Sequence, residues 1–194
     1  MTLNVYVRDD ELGDAVALAG RALAAGADAL IVADMGLIAR IRAALPDAEL
    51  HLSTQAGAQC AAAVDFAARE LGVERVTCAR ELSVAELAEL CATGVEIEAF
   101  CHGAICICYS GACSYSALMR GRSANRGDCQ PCRLAGCRMA RARSLRVVPG
   151  NAGVRKSRRC APMAIACCAH TLLGIRHIAE MLEAGVSAFR SRAA

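Results

Sequence analysis

Apolar and polar positions in the first half of the chain switch repeatedly between a period of two and a helical period. Residues 3–7 alternate and read as a strand. Leu12, Val16, Ala19 and Leu23 then recur on one helical face, with Asp9 or Asp10 in front as an N-cap and Gly26 behind as a stop. Residues 29–32 are a short apolar strand leading into Asp34, and residues 35–44 a helix stopped by Pro46. A strand over 49–53, a helix over 56–71 ended by Gly72, and a strand over 75–78 follow. Ser83 and Glu86 have the spacing of a capping box for a helix through Cys91. Gly94 closes that helix, and residues 95–100 form the fifth strand. Five strands alternating with four helices at short spacing predict parallel βα units, in either a doubly wound sheet or a barrel. No Gly-rich phosphate turn follows the first strand, which weighs against a dinucleotide-binding sheet. Asn4, Asp34, Ser53, Thr54, Gln55, Arg80, Glu81 and His102 fall just past strand ends. In a (β/α)8 barrel those positions line the C-terminal mouth, where ligands bind.

After the fifth strand the pattern breaks into a polar, Gly-containing loop crowded with thiols. Cys106, Cys108, Cys113, Cys129 and Cys132 lie within it. A free cysteine normally packs as a small hydrophobe, so thiols in a polar loop point to metal ligation, by an iron–sulfur cluster or zinc. Cys129 and Cys132 are spaced as Cys-x-x-Cys and with Cys106 and Cys108 offer a four-thiolate zinc set. Cys60, Cys78 and Cys91 sit on helix or strand patterns and are expected to be buried thiols. Thirteen cysteines with no leader-like pattern predict a reducing compartment, hence a cytoplasmic protein with ligating thiols rather than disulfides. No apolar run is long enough for a membrane-spanning helix, so no membrane partner is expected. The length suits one domain, and with 3% aromatics the core must be built from Leu, Ile, Val and Ala. Ten Lys or Arg and no Asp or Glu lie between Cys129 and Ala179, a basic block of the kind that binds nucleic acid. His102 is a candidate catalytic residue for substrate contact or proton transfer, with a loop-stabilising hydrogen bond as the plainer reading. Glu96 and Glu98 point to one side of their strand, and one of them is expected to pair with Arg80. Arg80, Arg122 and Arg126, with Arg133, are candidates for binding a phosphate or dicarboxylate, against a solvated face as the default.

Several ordered motifs resemble the U32 peptidase family, also called collagenase-like peptidases. They are His51-Leu52-Ser53-Thr54-Gln55, Ala79-Arg80-Glu81-Leu82-Ser83, Glu96-Ile97-Glu98-Ala99-Phe100 leading into His102-Gly103-Ala104, Tyr109-Ser110-Gly111 before Cys113, and Asn125-Arg126-Gly127 before Cys129-Gln130-Pro131-Cys132-Arg133. The resemblance implies an α/β, TIM-like (β/α) barrel, truncated at both ends because about two βα units normally precede the segment that begins at Leu3. Residues 1–133 then make a partial barrel ending in the cysteine-rich loop. Residues 134–194 read as a degraded or frame-shifted remainder with a late helix at 171–185. Residues 137–170 and the last few residues are the ones expected to be out of frame. Exposed sheet edges in such a piece predict self-association. Cys106, Cys113 and Cys129 match three positions that bind a 4Fe–4S cluster in the family; Cys168 is the candidate fourth ligand, with Cys160 and Cys167 no better founded, and zinc is the rival metal. The resemblance further implies oxygen-independent hydroxylation of RNA bases in tRNA or rRNA, or of a quinone precursor, with prephenate as oxygen donor. The alternatives are a collagenase-like peptidase, for which no His-Glu-x-x-His or nucleophile elbow is present, and an inactive fragment.

Overall fold

The computed structural model describes residues 1–104, 108–114, 117–118, 121, 123–126 and 171–191. Its centre is a seven-stranded sheet built from β1 (Thr2–Leu3), β2 (Leu30–Val32), β3 (Leu50–Leu52), β4 (Arg75–Thr77), β5 (Glu96–Ala104), β6 (Thr171–Leu173) and β7 (Ala188–Ser191). Strands β1 to β5 pair in chain order and in parallel, and β7 adds to β5 in parallel. Only β6 runs antiparallel, against residues 102–104 of β5. Chain order without reversal removes the doubly wound alternative, which requires a switch in strand order.

Between the strands lie α1 (Leu12–Ala24), α2 (Met35–Ala44), α3 (Ala61–Leu71) and α4 (Val84–Cys91), with α5 (Ile178–Glu183) before β7. Each contributes to one apolar cluster. Leu30, Val32, Leu50, Leu52, Val76, Ile97 and Ala99 of the sheet meet Ala19, Leu37, Ile38, Ile41, Val64, Leu87, Leu90 and Met181 of the helices. Fully burying one such Leu or Ile side chain contributes about 1.5–3 kcal/mol. Because strand side chains alternate, this cluster uses one face of the sheet and leaves Ile31, His51, Arg75, Thr77, Glu96, Glu98 and Phe100 on the other, up to a register irregularity in β5 between Phe100 and His102.

The helix punctuation follows the sequence in most places. Asp34 Oδ1 accepts from the Leu37 amide at 2.9 Å to start α2. Ser83 and Glu86 make the reciprocal capping box of α4, and Gly72 ends α3 in the left-handed conformation.

Several elements differ from expectation. Residues 4–7 leave the ladder after Leu3, because the Tyr6 amide donates to Asn125 O and the Val7 amide to Asp34 Oδ2. Neither Asp9 nor Asp10 caps α1; they lie in a 3-10 turn, Asp9–Glu11, whose start is closed by the Glu11 carboxylate on the Arg8 amide. The helix expected over 56–71 is split: a turn at Thr54–Ala56 ends on Gly57 at φ +74°, and α3 starts afresh at Ala61. Residues 171–173 are a strand rather than the first turn of a helix, and α5 begins at Ile178. Residues 188–191, set aside from the sequence as out of pattern, form β7, with Phe189 packed against the apolar cluster. No helix among the described residues is long and apolar enough to cross a membrane.

Candidate functional site

The C-terminal ends of the parallel strands carry the chemistry. Ser53 caps the turn after β3 by accepting from the Gln55 amide at 3.3 Å. Thr54 is buried and donates its hydroxyl to Cys78 O at 3.0 Å, tying the end of β3 to the end of β4. That leaves Gln55 O pointing outward to accept the Tyr6 hydroxyl at 3.1 Å.

The cysteine loop is fastened to this rim. Arg126 reaches back to the N-terminal segment: Nη1 donates to Glu11 Oε2 at 2.8 Å and to Tyr6 O at 3.0 Å, and Nη2 donates to Glu11 Oε1 at 2.6 Å. Asn125 O accepts the Tyr6 amide at 2.9 Å. The Arg126 guanidinium, helped by the Arg8 amide, holds the Glu11 carboxyl down at about 2. Gly111, at φ +82°, passes so close to Gln55 O that a Cβ there would overlap it, and that Cβ would also lie 2.9 Å from the Tyr6 hydroxyl. Only glycine meets both demands, of φ and of approach.

Below the rim, the polar face of the sheet holds a graded set of charges. Arg75 pairs with Glu96 directly across β4 and β5, Nη2 to Oε2 at 2.7 Å. Glu98 is buried; its Oε1 accepts from Thr77 Oγ1 at 3.2 Å and from Arg190 Nη1 at 3.1 Å. The expected partnership of Glu96 or Glu98 with Arg80 is therefore replaced by Arg75 and Arg190, which the register places beside these carboxylates. Arg80 lies past the end of β4 and stacks on Phe100, 4.1 Å from the ring centroid, with Arg190 6.0 Å from the same ring. His102 follows past the irregularity in β5, and its Nδ1 is buried with no hydrogen-bond partner among the described residues. His51, also buried here, has Nε2 2.7 Å from Glu49 Oε1. The hollow lined by Leu23, Asp28, Pro46 and Glu49 sits at the opposite ends of β2 and β3 and brings together no comparable set.

The thiols sort by environment. Cys78 is buried on the helix side, and burial pushes its thiol up to about 12, which makes it inert. Burial also raises the Cys91 thiol. Cys60 is exposed rather than buried, because it stands in extended backbone ahead of α3 instead of inside the helix. Cys108 and Cys113 are half-buried in the rim loop. Of the candidate cluster ligands, Cys113 is described; Cys106, Cys129 and Cys168 lie outside the described residues, as does Arg122. Among the described residues no group of three or more metal-ligating side chains is gathered. Cys113 suits a soft metal nonetheless, being a partly shielded thiol in irregular backbone on a loop pinned at both flanks.

Two parts of this site were not found from sequence: the Glu98–Arg190–Thr77 group and the Glu11–Tyr6–Arg126 fastening. Ala188-Phe189-Arg190-Ser191 carries no alternation of its own, and it is the pairing with β5 that brings Arg190 to this face. Nothing local signals that Glu11 and Arg126, 115 positions apart, meet.

The peptidase family U32 model matches residues 1–191. Among curated proteins, the chain is 43% identical over 136 residues to the 23S rRNA 5-hydroxycytidine C2501 synthase of Escherichia coli (strain K12), covering 69% of this chain and 20% of that protein. It is 42% identical over 138 residues to tRNA hydroxylation protein P1 of Bacillus subtilis (strain 168), covering 69% of this chain and 32% of the relative. It is 33% identical over 146 residues to a protein named Collagenase from Porphyromonas gingivalis (strain ATCC BAA-308 / W83), covering 69% and 34%. The chain thus spans between a fifth and about a third of the length of these curated relatives. With a family model matched across nearly its whole length, the chain belongs to peptidase family U32.

Proposed function

We propose that this chain is the cysteine-loop portion of an RNA-base hydroxylation enzyme, built on a partial TIM-like (β/α) barrel and acting on tRNA or rRNA. The observation that carries the reading is the identity of 42–43% to proteins named for rRNA and tRNA hydroxylation, against 33% to the protein named Collagenase. The site supports it. One face of the sheet is apolar and covered by helices; the other carries Arg75, Glu98, Phe100 and Arg190 up to a rim where the cysteine loop is docked. In this reading Cys113, with Cys106, Cys129 and Cys168, holds a 4Fe–4S cluster that supplies the redox chemistry. Arg80 and Arg122 contact the anionic donor, a dicarboxylate such as prephenate, or the RNA backbone. The basic block between Cys129 and Ala179 contributes charge toward RNA.

His102 suits substrate contact or proton handling at the end of β5. Its buried Nδ1 lacks a protein acceptor or donor among the described residues, and an unpaired buried ring nitrogen is costly unless a ligand or water satisfies it. No described arrangement matches a nucleophile, a base and an orienting carboxylate, so proteolysis has less support.

The test is nucleoside mass spectrometry of total tRNA and 23S rRNA from a host lacking its own U32 hydroxylation genes, with and without this chain. A hydroxylated pyrimidine that appears only with the chain, and is lost in His102→Ala, supports the proposal. Unmodified RNA together with cleavage of gelatin by the purified chain would replace it with the peptidase reading.

A further inference from the structure

We infer that Glu11, Tyr6 and Arg126 form a clasp that fixes the cysteine loop on the strand ends and so sets the position of Cys113, Arg126 being a positioning residue rather than a substrate contact. The inference rests on the reading of Cys113 as a cluster ligand. It extends that reading to residues far from any thiol.

Three independent contacts converge. The guanidinium makes a two-pronged bond to Glu11, at 2.8 and 2.6 Å, the geometry in which an Arg–carboxylate pair is strongest and most directional. The same guanidinium takes Tyr6 O at 3.0 Å, and the neighbouring Asn125 O takes the Tyr6 amide at 2.9 Å, so the backbone of Tyr6 is held on both its polar groups by residues 125–126. On the other flank of the loop, Gly111 lies against Gln55 O and the Tyr6 hydroxyl, and that hydroxyl itself donates to Gln55 O. Tyr6 therefore touches both flanks of the segment that contains Cys113. An exposed ion pair alone contributes little. Here the pair closes a network in which one short stretch, residues 6–11, replaces ladder pairing with loop pairing. That is also why residues 4–7 leave the sheet.

A guanidinium with both outer nitrogens committed to Glu11 and Tyr6 offers less to an incoming anion than a free one. A loop that must hold soft ligands at fixed separations gains from such anchoring, since among its described residues the large apolar side chains Tyr109 and Leu118 are exposed.

The test uses the reduced, metal-free full chain. Cys113 alkylation by iodoacetamide is followed by peptide mass mapping, and Tyr6 amide exchange by deuterium labelling. Arg126→Gln and Glu11→Gln should each raise both rates roughly tenfold. The charge swap Glu11→Arg with Arg126→Glu can restore only the ion pair, since a carboxylate at 126 cannot donate to Tyr6 O and an Arg at 11 cannot cap the Arg8 amide, so it should recover at most part of the protection. Tyr6→Phe, which removes only the bond to Gln55 O, should raise Cys113 alkylation severalfold and serves where the charge variants fold poorly. Single variants at wild-type rates, with Tyr6→Phe also at the wild-type rate, would overturn the clasp. The cluster reading fails separately: a wild-type chain that binds no iron while Cys113 reactivity still follows Arg126 leaves the clasp standing. A chain that binds iron while its Cys113 ignores Arg126 does the reverse.

Discussion

Replacing Gly111 with alanine should release the cysteine loop while leaving the sheet intact. Gly111 has φ +82°, where a Cβ costs about 1–2 kcal/mol from its own backbone. The added atom would overlap Gln55 O, a backbone oxygen that cannot rotate away because Ser53 and Thr54 fix the turn carrying it. Relief must come from the loop. Moving it gives up the neighbouring Tyr6–Gln55 bond and strains the Tyr6–Asn125 bond, each worth about 0.5–1.5 kcal/mol net. The local cost is then about 2–5 kcal/mol, and it falls on the docking of the loop. Gly111 is not part of the apolar cluster, so global stability should fall by less than about 1 kcal/mol. Limited proteolysis under native conditions, with urea unfolding alongside, separates the two. The expected outcome is rapid cleavage within residues 108–126 with a nearly unchanged urea midpoint. A variant as resistant as wild type would refute the close approach of Gly111 to Gln55, and an equally large fall in global stability would refute the independence of loop and core.

Two further predictions address charge. Arg190→Gln leaves the buried Glu98 carboxylate with Thr77 alone and should destabilise by about 2–3 kcal/mol in urea unfolding, whereas Glu98→Gln leaves a partly exposed guanidinium that can turn to water and should cost about 1 kcal/mol; the opposite order would mean that β7 does not lie beside Glu98. Glu11 sits at about 2 when folded against an ordinary 4.5, chiefly because of Arg126, so its contribution is complete above about 4.5 and lost as pH falls toward 2; the Glu11 carboxyl carbon shift should titrate near 2 in the wild type and return toward 4.5 in Arg126→Gln, and equal midpoints would contradict the pair.

Sequence legibility followed the range of the forces involved. The α4 boundary was readable because Ser83 and Glu86 cap each other three residues apart. The strands β2 to β5 were readable because each carries its apolar positions in a short run bounded by Asp, Pro or Gly. The polar face was half-readable: Glu96 and Glu98 were placed on one side, but their partners depend on register with β4 and β7. The end of the first strand was misjudged because Tyr6 and Val7 bond to Asn125 and Asp34 instead of a neighbouring strand. The helix expected from residue 56 starts only at Ala61 because Gly57 breaks the chain at φ +74°, and alanines on either side mask the break. Arg190 was missed for a different reason. Its strand is four residues long, follows α5 without an alternating pattern, and is defined by β5 rather than by its own residues. Of the proposed cluster ligands, spacing and resemblance pointed to four cysteines, and the docking of the loop explains how one of them, Cys113, is held.

Iron binding by the full chain tests the central claim most directly. Anaerobic reconstitution with ferrous iron and sulfide should give a brown protein with broad thiolate-to-iron absorbance and about four irons per chain, and Cys113→Ser should abolish the colour, because a hydroxyl is a poor ligand for iron–sulfur. A colourless protein that retains stoichiometric zinc, or a Cys113→Ser protein as brown as wild type, would contradict the account.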